Sequence, residues 1–331
     1  MNIYDIAKKA GVSTATVSRV INGNTNVSEK SRKKILDVIE QEGYIPNVFA
    51  RGLSLNTIKT VGILCPVISD INHALPVSFL ERLLRQNGFD TLLTCSGSNE
   101  EDKTKYLELL LNKRVDAIFV IGSTEKELSE NEHFVAAAKH IPIVIVNGFV
   151  PVDNVYCVLC DEETATCEMV QTLYRQGYEK ILYIYDTATY SGYQKLQGYY
   201  KGVGLCGIEA DPELILKVED LYDSMDMVKA SVNDLICSKV NFSAVLAADD
   251  LLAIGALKAL RIHKMEAMPI IGFNNSMHGR TSNPELTTID NMIEVQCNAA
   301  VNLLMDVLSG KSATSKMMIS AKVIQRETFK F

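Results

Sequence analysis

The sequence predicts an α/β protein: a three-helix head containing a helix-turn-helix, followed by two doubly wound lobes built on parallel sheets. Three observations carry that prediction. Residues 3–21 hold two short amphipathic helices separated by Gly11. Beyond residue 59, apolar runs suited to buried parallel strands alternate with amphipathic helical stretches. Charge is also divided unevenly. Residues 1–60 carry nine Lys and Arg against five Asp and Glu, a balance of +4; the whole chain is −7, so residues 61–331 carry −11. A cationic end on an anionic body is expected where one end alone meets phosphate.

In the head, Ile3, Ile6, Ala7 and Ala10 recur at helical spacing until Gly11 interrupts them. Ser13 is a good N-cap for the second helix, because its hydroxyl accepts an orphan backbone N–H. Val17, Val20 and Ile21 are expected to face inward, which leaves Thr14, Ala15, Thr16, Ser18 and Arg19 outward. Small polar residues with one guanidinium suit a helix that lies against base edges and phosphates in the major groove. A third helix is expected from the Ser28 cap through Ile35, Leu36, Val38 and Ile39, ending near Gly43. A purely structural three-helix bundle fits the same pattern; the local positive charge favours a DNA reader.

Strands are expected at 61–65, 91–94, 117–121, 143–146, 180–185, 244–248 and 269–273, and helices at 74–86, 102–112, 164–176 and 250–261. That is too many strands for one sheet, so two similar lobes are expected. In open α/β sheets, ligands bind beyond the strand carboxyl ends. The candidates in the amino-terminal lobe are Ser69, Asp70, Asn72, Ser96, Gly122, Ser123 and Asn147. The carboxy-terminal lobe supplies Asp186, Tyr190, Lys195, Asp249, Phe273 and Asn274. Asp249 also suits a helix N-cap, Asn274 a turn, and the two aromatic rings a core.

Several classes are disfavoured. The chain opens directly into a helix, with no apolar signal core and no run that could span a bilayer, so a cytoplasmic location is expected. There is no nucleophile elbow, no P-loop and no His cluster, so neither an enzyme nor a cofactor is expected. Cys157 and Cys160 hint at a metal knuckle, but residues three apart in a strand face opposite ways and no second ligand pair follows. No metal is expected, and the eight cysteines suit a reducing compartment. The run from Gly202 to Gly207 fits G-x-G-x-x-G, yet it follows a helical stretch at 193–201 instead of a strand, so it reads as a glycine-capped helix end.

Several motifs together resemble the lactose/galactose repressor (LacI/GalR) family of bacterial transcription regulators. They are Tyr4-Asp5-Ile6-Ala7, Ala10-Gly11-Val12-Ser13, Thr16-Val17-Ser18-Arg19-Val20 and Ile21-Asn22-Gly23, then Gly43-Tyr44-x-Pro46-Asn47, Ala50-Arg51-x-Leu53 and Val61-Gly62-Ile63. The resemblance covers essentially the full length. It implies two Rossmann-like, periplasmic-binding-protein-like subdomains behind the head. The expected divisions are 1–45 for the head, 46–58 for a hinge, 59–157 with 290–320 for one subdomain, and 158–289 with 321–331 for the other.

The resemblance further implies that the hinge orders in the operator minor groove, with Leu53 as an inserted wedge and Ala50 and Arg51 along the groove. A helix so short is marginal in water, and Gly52 weakens it by roughly 1 kcal/mol relative to Ala. An ordinary flexible linker is the competing reading. Lys8, Asn22 and Lys33 are candidate phosphate contacts; Thr14, Ala15, Thr16 and Arg19 are candidate base readers. Tyr4, Ser18 and Asn47 complete the DNA-binding set.

At the effector site the chain departs from the family pattern. The family's clamping Arg becomes Lys195, its Asn-Asp pair becomes Asp249-Asp250, and its Gly-aromatic-Asp-Asp reads Gly272-Phe273-Asn274-Asn275. Arg to Lys is not conservative where a bidentate fork is needed. The expected function is a transcriptional regulator, most simply a repressor, that binds a pseudo-palindromic operator as a homodimer. A small-molecule effector, sugar-like in class, would control it by differential affinity for two states. The chain ends without a Leu-rich heptad tail, which favours a dimer over a tetramer. The competing readings are a global catabolite regulator signalled by a protein partner that docks near residues 69–85, and an enzyme acting on the cleft ligand.

Overall fold

The computed structural model describes residues 2–21, 26–43, 57–97, 99–122, 124–125, 127–186, 189–218 and 224–330. They form two units, a head and a larger α/β body.

The head consists of α1 (Ile3–Ala10), α2 (Thr14–Ile21) and α3 (Glu29–Gln41). Asn2 caps α1 in a capping box with Asp5, and Gly11 ends it in the left-handed region at φ 65°. The Ser13 hydroxyl accepts the Thr16 N–H at 3.2 Å, so α2 starts where a Ser N-cap places it. Ser28 does the same for α3 through Ser31 N–H. Ile6, Ala7, Ala10, Val17, Val20 and Ile35 make the core. Each large side chain buried this way is worth roughly 1.5–3 kcal/mol. Leu36, expected on the packed face, is 49% exposed, because the α3 stripe runs through Ile35, Val38 and Ile39.

Among the described residues the body carries two six-stranded sheets. In chain order the first elements are β1 (Thr60–Cys65), α4 (Ile71–Gln86), β2 (Asp90–Cys95), α5 (Glu100–Asn112) and β3 (Ala117–Ile121). Next come α6 (Glu132–Ala138), β4 (Ile143–Val146), β5 (Val155–Cys160), α7 (Glu162–Arg175) and β6 (Ile181–Tyr185). They continue as α8 (Tyr190–Leu205), β7 (Ile215–Lys217), α9 (Ser224–Cys237), β8 (Ala244–Ala247) and α10 (Asp250–Ile262). The chain closes with β9 (Ile270–Phe273), α11 (Met277–Thr281), β10 (Thr287–Asp290), α12 (Ile293–Leu308), β11 (Lys316–Ile319) and β12 (Lys322–Ile324).

Strand order is β2-β1-β3-β4-β5-β11 in the first sheet and β7-β6-β8-β9-β10-β12 in the second. Register follows the apolar runs: Val61 pairs with Ala117 and Ile118 with Ile143 in parallel ladders, as do Ile181 with Ala244 and Val245 with Ile270. Only β12 is antiparallel among the described ladders, on β10. The strands of β3, β4, β8 and β9 are buried throughout, as a sheet covered on both faces requires.

Among the described residues the chain passes between the sheets three times. β5 stays with the first sheet to Cys160, paired with β4 and β11, while Met169, Val170 and Leu173 of α7 join the second core. The expected division at 157 therefore falls inside a strand. Asp290 ends β10 in the second sheet, and α12 then returns Cys297, Ala300, Val301 and Leu304 to the first core. The last passage lies between Ile319 of β11 and Lys322 of β12.

The G-x-G-x-x-G run is the carboxyl end of α8. Gly207 sits at φ 74°, and Ile208 N–H bonds back to the Val203 carbonyl. Cys157 and Cys160 are buried in β5, and the Cys157 sulfur contacts the backbone of Val150.

Candidate functional site

In the head, Tyr4, Lys8, Ala15, Arg19 and Lys33 are exposed, and Thr14, Thr16 and Ser18 are half-buried on the outward side of α2. The Thr16 hydroxyl lies 2.8 Å from that of Ser13, so one candidate base reader also serves the helix start. Asn22, Asn47, Ala50, Arg51 and Leu53 lie outside the described residues, as does nearly all of the expected hinge, and so does Ser123 in the body.

In the body, the strand carboxyl ends of both sheets converge on a cleft bridged by side chains. Asp70 caps α4 by accepting the Asn72 N–H at 2.8 Å. That cap places the Asn72 amide where it donates to Asp249 across the cleft, at 3.1 Å. Asp249 follows β8 and is itself the N-cap of α10, accepting the Leu251 N–H at 2.7 Å through its other oxygen. It also accepts from Asn274 at 2.8 Å, and Asn291 in turn donates to Asn274 at 3.0 Å. The helix-cap and cleft roles of Asp249 are therefore filled by different oxygens of one carboxylate.

Lys195 lies in α8, 6% exposed. Its ammonium donates to the Ala248 carbonyl at 3.0 Å, sits 4.2 Å from the Phe273 ring centre and lies 3.5 Å from Glu162. Gly198 makes this possible, because a Cβ there would run into the Glu163 carbonyl and Thr166. With no Cβ, α8 packs tightly on α7 and carries Lys195 to Glu162. Glu162, 2% exposed, also accepts from the Ser191 hydroxyl at 2.8 Å and from the Asn147 amide at 3.3 Å. Asn147 ends β4 in the left-handed region at φ 64°, a conformation Asn tolerates better than most residues.

Burial, then the neighbouring Asp249 carboxylate, raises Asp186 to about 6, while Lys195 opposes the shift. Burial raises Asp249 as well, against the pull of the Leu251 N–H and Lys195. Asp250 rises to about 7, through burial and then Asp249. Its oxygens are taken by the Thr288 hydroxyl and the Ser276 N–H, both at 2.6 Å, which makes it a brace for the start of α11. Asp186 and Asp249 thus lie near a lysine already paired with Glu162, and the charge of Asp70 acts on both acids.

Other candidates are placed differently. Phe273 is 1% exposed and belongs to the second core, so its ring underlies Lys195 instead of offering a face to a ligand. The Tyr190 ring packs against Phe149 of the opposite lobe, centroids 5.6 Å apart and planes tilted at 45°, and its N–H donates to the Thr124 carbonyl at 2.8 Å. Ser96 is buried, bonds the Gly97 carbonyl and lines, with Pro66, Gly122 and Phe134, a cavity of about 20 Å³, enough for roughly one water. Ser69 is exposed. Glu162, Ser191, Phe149 and Asn291 belong to the cleft but were not picked out from the sequence.

Residues 2–47 match the family of bacterial regulatory proteins, lacI family, and residues 60–327 match the periplasmic binding proteins and sugar binding domain of LacI family. The chain belongs to the LacI family. Among its relatives, an HTH-type transcriptional regulator of Lachnoclostridium phytofermentans is 44% identical over 337 residues, covering 100% of both chains. Catabolite control protein A of Priestia megaterium is 30% identical over 87% of each. The lac repressor dimer bound to operator and the anti-inducer ONPF matches with a TM-score of 0.88 over 99% of this chain and 98% of that one, at 21% identity. A CelR–cellobiose complex matches at 0.72 over 99% and 100%, at 23% identity. Those two likenesses speak to fold. Like its LacI-family relatives, this chain is a DNA-binding transcriptional regulator with an effector domain of the periplasmic-binding type. Among the described residues no helix is long and apolar enough to cross a membrane, and no group of three or more His, Cys, Asp or Glu is placed to hold a metal ion.

Proposed function

We propose that this LacI-family regulator is a cytoplasmic, non-enzymatic repressor. It binds a pseudo-palindromic operator as a homodimer and is controlled by a sugar-like molecule between its lobes. The observation that carries the effector reading is Asp249, whose carboxylate joins the two lobes through Asn72 while remaining ordered by the α10 start. A polyol that offers hydroxyls to Asp249 replaces Asn72 there, and so shifts the balance between open and closed lobes. The solved CelR relative, which holds cellobiose, supports the ligand class. For the head, Thr14, Ala15, Thr16 and Arg19 read bases, Lys8 and Lys33 meet phosphates, and Leu53 wedges the minor groove. Half-sites about one helical turn apart follow from a two-fold dimer.

A thermal-shift screen of sugars, sugar phosphates, uronates and nucleobases tests the effector, since a ligand that binds only the folded state raises its melting temperature. If nucleobases alone raise it, the sugar-like reading fails. Footprinting that finds no protected palindrome at the native locus removes the repressor reading. Leu53→Ala should weaken specific binding far more than non-specific binding; equal losses take Leu53 out of the wedge role.

The relative named catabolite control protein A supports a second reading, control by a protein partner on the outer face of α4. Two of the cations on that face are engaged within the chain, Arg82 with Glu294 and Arg85 with Glu81, both at 3.0 Å. A partner must therefore displace those acids. Co-purification of a phosphocarrier protein with the wild-type chain, lost in Arg82→Ala, would favour this reading.

A further inference from the structure

Cys65 and Cys95 end the neighbouring strands β1 and β2, and their sulfurs lie 3.7 Å apart. Cys65 is buried, while Cys95 opens to solvent. Just beyond them the strands remain joined, by Ser96 N–H to the Cys65 carbonyl at 3.0 Å and Gly97 N–H to the Pro66 carbonyl at 2.8 Å. Adjacent strands run about 4.8 Å apart, which lies within the Cα separation of roughly 4.4–6.8 Å that a disulfide spans. Bringing the sulfurs from 3.7 Å to a bond of about 2.05 Å therefore asks for side-chain rotation and little backbone movement. No other two cysteine sulfurs are in hydrogen-bond contact among the described residues.

We propose that Cys65 and Cys95 form a redox pair, which a peroxide converts reversibly into an intramolecular disulfide. Burial, followed by the charge and hydrogen bond of Cys95, pushes Cys65 up to about 12, so it remains a thiol. Solvent-facing Cys95 is the sulfur a peroxide reaches first. Its thiolate attacks one peroxide oxygen, the O–O bond breaks, and a sulfenic acid and one water result. Cys95 is now a neutral sulfenic acid, and its charge no longer holds the Cys65 proton in place. The Cys65 sulfur attacks the Cys95 sulfur as it gives up that proton, and the S–O bond breaks. The Cys65 proton leaves with the departing hydroxide as a second water. Two thiols lose two electrons, and hydrogen peroxide is reduced to two waters.

The position matters to the regulator. Cys65 leads into the loop that ends at Asp70, and Cys95 precedes Ser96, so the bond staples two strand ends of the cleft wall. In a reducing compartment such a bond is transient, which suits a signal better than a structural brace. The proposal does not depend on the identity of the effector.

The test uses the reduced full-length protein, exposed to hydrogen peroxide, alkylated with N-ethylmaleimide and mapped by mass spectrometry. The expected result is a fall from eight alkylated cysteines to six, a Cys65–Cys95 peptide lighter by two hydrogens, and recovery with dithiothreitol. Cys95→Ser, a change at an exposed position, should lose the reaction entirely. In Cys65→Ser, Cys95 should stop at a sulfenic acid that dimedone traps. The proposal is overturned if both sulfurs stay alkylated in the wild-type chain after peroxide. It is equally overturned if a non-reducing gel shows Cys95 joined to a second copy of the chain in place of Cys65.

Discussion

Asn72, near the start of α4, donates its side-chain amide at 3.1 Å to Asp249, the residue that caps α10 in the opposite lobe. One helix start thus reports on another across the cleft. Asn72→Ala removes a single cross-lobe hydrogen bond and should cost about 1 kcal/mol of stability. Asp249→Ala also leaves the Leu251 N–H uncapped, so it should cost about 1 kcal/mol more. Urea denaturation of both variants checks the order; equal losses would mean that the cap oxygen contributes nothing.

Asp186 gives a pH signature. Its folded-state value of about 6 stands above the ordinary 3.8, so the folded chain holds that proton more tightly than the unfolded chain. The resulting stabilisation is complete below about pH 4 and is lost as pH rises through about 6. His133 runs the other way: burial, then Lys103, lowers it from 6.5 to about 4, and its contribution is lost as pH falls through that range. Asp249 and Asp250 are raised in the same direction as Asp186. Wild type and variant share His133 and Asp250, so their difference reads Asp186 together with its coupling to Asp249. The stability of Asp186→Asn relative to wild type should climb between about pH 4 and 7. A flat difference across denaturation curves in that window would contradict the assignment.

Lys195 and Glu162 are both nearly inaccessible, so removing one strands the other. Lys195→Met should destabilise the chain by about 3 kcal/mol or more. Adding Glu162→Gln to Lys195→Met should recover much of that loss. A double variant no better than the single one in chemical denaturation would show that the two groups are not coupled.

Gly198→Ala tests the close approach of α8 to α7. The added methyl meets the Glu163 carbonyl, a backbone atom with little freedom to retreat. A loss of about 1–3 kcal/mol is expected. Gly204 is the control, because a Cβ there meets nothing. Gly204→Ala should be neutral or mildly stabilising in the same melting experiment.

On DNA, Arg19 and Lys8 should separate by kind. Arg19→Ala should cost about 1–3 kcal/mol on the operator and relax preference at one base position. Lys8→Ala should weaken binding across all sequences and lower the salt slope by about one. Titrations at several salt concentrations, on operator and on unrelated duplex, distinguish the two.

What the sequence made legible follows from burial. Strands covered on both faces leave continuous apolar runs, so β1, β3, β4, β8 and β9 could be placed to within a residue or so. Helix starts were read late, because the capping residues Asp70, Asn99 and Asp161 are polar and sit outside the apolar stripe. Asp249 and Asn72 were legible as strand-end polar residues, but their hydrogen bond was not, since 177 residues separate them. Glu162 was hidden for another reason. Asp161-Glu162-Glu163 reads as a solvated acidic first turn, and only the packing of α8 at Gly198 buries its middle member. Phe273 misled because an aromatic at a strand end fits a ligand wall and a core equally well, and here it lies in the core.

The three passages between the sheets also bear on how the molecule is made. The edge strands β11 and β12 follow every other strand of both sheets in chain order. On the ribosome, neither sheet can therefore gain its last strand until every other strand of both sheets has been made. Until then β5 waits from residue 160 and β10 from residue 290 with one flank bare, an unpaired edge that the nascent polypeptide has to keep from other chains.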